Sequence, residues 1–158
     1  MEDIIARYGQ ALARVAASYE ADPALREDLL QDILLAVHQA LPRLERADSL
    51  APFLFRIAHN RGVSHIVRRV AAKRADRSGE EPAEAADPET LLQSAERSQL
   101  LAAAIRRLPL PYRQVLTLLL EELSYAEIAE TLGISVSNVG VRVNRAKVRL
   151  RELLDGGR

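Results

Sequence analysis

Cysteine and tryptophan are absent from the 158-residue chain, and aromatic residues make up only 4% of it. Without cysteine there are no disulfides, no thiol nucleophile and no thiolate metal site. No apolar run approaches the roughly 20 residues that a bilayer-spanning helix needs. The opening Met1-Glu2-Asp3 lacks the basic start of a secretory signal. These absences predict a soluble, cytoplasmic protein with no membrane insertion. Glycine occurs 7 times, never in a GxGxxG or GxxxxGK[ST] arrangement, so no phosphate-cradling loop is expected. His38, His59 and His65 show no ligand spacing and no partnered carboxylate motif. The serines have no His-Asp partner in a recognised pattern. The sequence therefore predicts no enzyme, no metal site and no cofactor.

Net charge is also missing: 22 basic side chains balance 22 acidic ones. The zero conceals blocks. Residues 1–50 carry a net of −4, residues 56–77 a net of +6, residues 78–96 a net of −6 and residues 97–158 a net of +4. Alternating blocks suit separate tasks along one chain, with the basic segments able to meet a polyanion. Solvated helix faces of uneven charge are the plainer alternative.

What is present reads as helix nearly throughout, with apolar residues at three- and four-residue spacing and no period-two segment. A first helix is expected from Asp3 to Tyr19, with Ile5, Leu12 and Val15 on its apolar side. Asp22-Pro23 is a cap followed by proline at the first helical position. It starts a second helix running to Ala40, with Leu30, Leu34, Val37 and Leu41 on one face. Ser49 is expected to cap a third helix, with Leu54, Ile57, Ala58, Ile66, Val67 and Val70 as its buried stripe and Arg56, Asn60, Ser64 and Arg68 on another side. Residues 75–88 contain no large apolar side chain and read as a flexible acidic linker. Asp87-Pro88 starts another helix, to Leu108. Pro109 and Pro111 break it, and a further helix covers Tyr112 to Glu122. The fold class is thus all-α: two small helical domains, 1–74 and 89–158, joined by the linker 75–88.

The strongest local signal runs from Ser124 to Val139 and fits a helix-turn-helix. Ala129 permits a close crossing, Gly133 suits a left-handed turn, and Ser135 caps the second helix. That helix, expected to reach Leu154, places Val139, Val143, Ala146, Leu150 and Leu153 in one apolar stripe. Between residues 142 and 151 it carries five basic side chains and no acid. Short polar groups at its start, followed by arginines, suit a DNA major groove.

Four stretches in order extend the reading to most of the chain: 27–41, 53–61, 108–116 and 123–147. Together they resemble a bacterial RNA polymerase sigma factor of the two-domain extracytoplasmic-function (ECF) group. The resemblance implies that Asp28, Gln31, Asp32 and Leu35 grip the clamp helices of the largest polymerase subunit. It implies minus-ten element contacts from Arg43, Ser49, Phe53, Arg56, Asn60, Arg61, Ser64, Arg68 and Arg69. Minus-thirty-five contacts fall to Ser135, Ser137, Asn138, Val141, Arg142, Arg145 and Lys147. The implied partners are core polymerase, including its flap region, promoter DNA in duplex and single-stranded form, and an anti-sigma factor. Gly140 and Val141 depart from the family's usual Lys and Ser. Two alternatives stay open on the sequence: a sigma-like mimic that binds an anti-sigma factor, and a helix-turn-helix regulator acting without polymerase.

Overall fold

A computed structural model describes residues 1–44, 50–75 and 96–156. Seven α-helices follow in order among the described residues: α1 (Glu2–Tyr19), α2 (Pro23–Ala40), α3 (Leu50–Ala75), α4 (Glu96–Arg106), α5 (Leu110–Leu120), α6 (Tyr125–Leu132) and α7 (Val136–Gly156). A single 3₁₀ turn, Leu41–Arg43, closes α2 at Pro42. Ser49 and nearly all of the expected linker lie outside the described residues.

The start signals act as their chemistry dictates. Asp22 Oδ1 accepts from the amides of Ala24 (2.9 Å) and Leu25 (3.4 Å), with Pro23 at the first turn of α2. Ser124 and Glu127 form a reciprocal capping box on α6. Pro111 is a starter rather than a breaker: it sits in the first turn of α5, where a missing N–H costs nothing. The preceding helix stops at Arg106, two residues before Leu108.

α1, α2 and α3 pack mutually, and α4 to α7 form a second helical set around the α5–α7 contact. Three of the expected apolar stripes differ in part from the residues that are buried. On α1, Ile5 is exposed, while Leu12, Val15, Ala16 and Tyr19 are buried. On α2 Val37 is buried as expected, but Leu29, Ile33 and Ala36 are buried with it, while Leu30, Leu34 and Leu41 are only partly buried. Seven of the nine residues from 29 to 37 are apolar, so periodicity alone permits either register. On α3 the buried set is Pro52, Leu54, Phe55, Ala58, His59, Gly62 and His65, whereas Val67 and Val70 are exposed. Length explains the last two. At 1.5 Å per residue, the 26-residue α3 outruns the 18-residue α1 and α2 by about 12 Å. Residues 71–75 of its last turns are all exposed.

One close approach sets the α1–α3 geometry. A Cβ added at Gly62 would lie 2.4 Å from the Tyr19 ring, so only glycine lets that ring rest on the α3 backbone. The two helical sets also pack against each other, through α1 with α4 and α5 and through α3 with α6.

Candidate polymerase and nucleic-acid interface

α2 presents Asp28, Gln31 and Leu35 to solvent on the side away from its buried residues, and Leu35 is 56% exposed. Asp32 differs from the other three. It is half-buried and turns toward α3, with carboxylate oxygens 3.7 Å from Arg61 Nη1 and 3.7 Å from Arg68 Nη2. The α2 acid and two of the expected DNA contacts therefore form one charge cluster.

Arg43, from the 3₁₀ turn, meets Asn60, Arg61 and Ser64 of α3 in an open concavity of about 440 Å³. Gln39 and Ile57 complete much of its wall. Two cations, an amide and a hydroxyl around a cleft of this size are suited to an unstacked base and its phosphate. Of the remaining minus-ten candidates, Arg68 is exposed. Phe53 packs partly buried against the core, and Phe55, its neighbour, is fully interior and edge-on to Tyr8 with ring centroids 6.4 Å apart.

Arg56 and Arg69 are engaged elsewhere. The Arg56 guanidinium donates to the Thr131 carbonyl (3.2 Å) and to the Glu130 carbonyl, at the end of α6. Arg69 Nη1 donates to Glu20 Oε1 at 2.5 Å. Glu20 was not singled out from sequence. It is almost wholly buried, pairs also with His65 Nε2 at 2.9 Å, and accepts the Asp22 amide on its other oxygen. Burial works to raise this carboxyl. The hydrogen bond from His65, the Asp22 amide and the charge of Arg69 together outweigh it and hold the carboxyl below its ordinary value. Its partners lie 45 and 49 residues along the chain, so no local pattern reveals it.

The helix-turn-helix is formed as expected. Gly133 adopts φ 69° at the end of α6, and Ser135 Oγ accepts the Asn138 amide at the start of α7. Ile128, Val139, Val143 and Ala146 are fully buried between the helices. Ser135, Ser137, Asn138, Val141, Arg145 and Lys147 are exposed, and Arg142 is half-buried. Asn138, Val141, Arg142 and Arg145 share one face by their three- and four-residue spacing. Lys147, two residues beyond Arg145, projects about 160° away around the helix. It does not share the face of Asn138, Val141, Arg142 and Arg145.

An all-helical chain with a helix-turn-helix in one half and a polar, arginine-lined cleft in the other defines a DNA-directed protein of two parts. The family model for sigma-70 region 2 matches residues 4–74, and that for sigma-70 region 4 matches residues 98–150. The chain belongs to the sigma-70 family of RNA polymerase sigma factors, in its ECF group. It is 28% identical to RNA polymerase sigma factor SigZ of Bacillus subtilis over 99% of this chain and 88% of that protein. The ECF sigma-E factor of Escherichia coli is 28% identical over 91% of this chain and 81% of its own length. Among solved structures, the sigma factor RpoE, crystallised with the anti-sigma factor NepR from Bartonella quintana, superposes with a TM-score of 0.77. That match has 25% identity and covers 100% of both chains.

Proposed function

We propose that this sigma factor docks on core polymerase through the exposed α2 face of Asp28, Gln31 and Leu35 against the largest-subunit clamp helices, with the second helical set reaching the flap region. Arg43, Asn60, Arg61 and Ser64 receive an unpaired minus-ten base, while Arg68 follows the strand. α7 enters the major groove of the minus-thirty-five element, where Ser137, Asn138, Arg142 and Arg145 approach base edges and phosphates. Lys147 neutralises a phosphate at the groove edge. The polymerase performs the chemistry, this chain contributes position, and both act in the cytoplasm. An anti-sigma factor is the expected regulator, as the RpoE–NepR complex illustrates for a relative.

The observation that supports this reading is the α2–α3 cleft, where Arg43 meets Asn60, Arg61 and Ser64 from a separate segment. Run-off transcription with core enzyme and cognate genomic promoters tests it. Stimulated, promoter-specific starts are expected, and absence of stimulation by folded protein overturns it. Arg142→Ala is expected to weaken upstream-element binding about tenfold, from loss of roughly 1–3 kcal/mol of base or phosphate contact, while leaving core binding intact. A promoter footprint beside a native gel with core enzyme reads both. One observation favours a second reading, the sigma-like mimic. Val141 places an exposed apolar side chain on the groove-facing side of α7. Anti-sigma binding without any transcription would select that reading.

A further inference from the structure

Val141 is 45% exposed. Its neighbours on the helix surface, three and four positions to either side, are Ser137, Asn138, Asn144 and Arg145. All four are polar and exposed. The buried residues Val139, Val143 and Ala146 lie about 140–160° away around α7, at about 100° per residue. Val141 therefore stands on the outermost line of the helix.

An isolated exposed valine is ordinary surface. This one is set in a face built for a polyanion. From Val136 to Arg151, α7 carries five cations and no acid. Asn138, Arg142 and Arg145, which can hold base edges or phosphates, flank Val141 on the same face. Val148 is also exposed, at 51%. It lies about 10.5 Å further along the axis, beside Tyr112 of α5. Base edges are read by the first turns of such a helix, where Val141 is and Val148 is not.

Valine has nothing to give a phosphate. In the major groove the one apolar group it can meet is the C5-methyl of thymine. Against any other base edge it would strip water from donors and acceptors without pairing them. A serine at this position could pair with a donor or an acceptor, and would discriminate less. Valine is also held ready, because its χ1 in a helix is confined to one main rotamer.

We propose that Val141 is a specificity-determining residue that reads the C5-methyl group of one thymine in the minus-thirty-five element, between the polar contacts of Asn138 and Arg145. The inference rests on the assignment of α7 to that major groove. It makes the upstream element selective for an A·T pair at the position facing Val141.

Uracil lacks only this methyl group, which makes the test direct. Promoters whose starts depend on the chain supply the duplex. Each thymine of the upstream element, on both strands, is replaced in turn by deoxyuridine. Binding by the full chain with core polymerase is measured by competitive gel shift. One position is expected where uracil weakens binding by the parent about fourfold, the worth of one buried methyl group. There Val141→Ala is expected to bind the thymine and uracil duplexes equally, while Val148→Ala keeps the parent's preference. Both valines are exposed, so neither substitution disturbs the core. The absence of any uracil-sensitive position overturns the assignment. So does a preference that survives in Val141→Ala or is lost in Val148→Ala. If no genomic start depends on the chain, the functional reading itself fails, and the thymine assignment falls with it.

Discussion

Two glycines in helices, 62 and 140, have opposite consequences. Gly62 is buried under the Tyr19 ring, and any Cβ there collides with it at 2.4 Å. Gly62→Ala must displace a ring whose hydroxyl also holds His59. A loss of about 1–3 kcal/mol is expected from overpacking, read as a lower urea midpoint. At Gly140 a new Cβ would meet the Tyr125 ring at 3.7 Å, an ordinary contact. Gly140→Ala is expected to raise stability by about 1 kcal/mol through helix propensity alone, measured by the same titration. The sequence shows Gly140 as a weak point in a helix, because the helix is evident locally. It is silent on Gly62, because the ring that requires it comes from α1.

At the scale of elements, ends were more legible than faces. Caps are local chemistry: a side-chain oxygen and an amide two or three residues away. Asp22, Ser124 and Ser135 accordingly act where the sequence places them. Ser124→Ala removes the acceptor for the Glu127 amide and leaves half of the capping box. About 1 kcal/mol of stability should be lost, with the amides at the start of α6 exchanging faster by hydrogen–deuterium exchange. Faces depend on neighbours. The apolar stripe of α7 was read correctly, with Val139, Val143 and Ala146 buried and Leu150 and Leu153 partly buried. That of α2 was read only in part, because two registers fit its apolar residues, and only the position of α3 chooses between them. The same contact turns Asp32 away from Asp28, Gln31 and Leu35, residues with which the sequence groups it.

For the whole molecule, the seam between the helical sets adds a dependence on acidity. His59 is completely enclosed, and burial pushes its pKa from 6.5 down to about 3. Tyr19 of α1 and Thr117 of α5 face it, and Arg113 of α5 lies over the Tyr19 ring, 5.7 Å from its centroid. The packed state therefore holds His59 neutral, while an opened or unfolded state takes up a proton below pH 6.5. Stability is full above that value and falls progressively toward pH 3, by about 2 kcal/mol at pH 5 from this group. The buried Glu20 carboxyl adds to the loss at lower pH. Its folded value is depressed, so its contribution disappears as it protonates below the ordinary carboxylate range. Chemical denaturation at pH 7 and pH 5 should show the drop, and His59→Gln should flatten it between these values.

Sequence alone determined the helical class, the caps and turn of the helix-turn-helix, and the ordered motifs that mark the family. All of these rest on residues within a few positions of one another, where backbone geometry dictates what a side chain reaches. Tertiary structure decided which arginines are free and which are held. Arg43 joins Asn60, Arg61 and Ser64, Arg69 goes to Glu20, and Arg56 goes to carbonyls 74 and 75 residues away. A guanidinium has the same donors in every sequence context, and only the packing of distant helices supplies its acceptor.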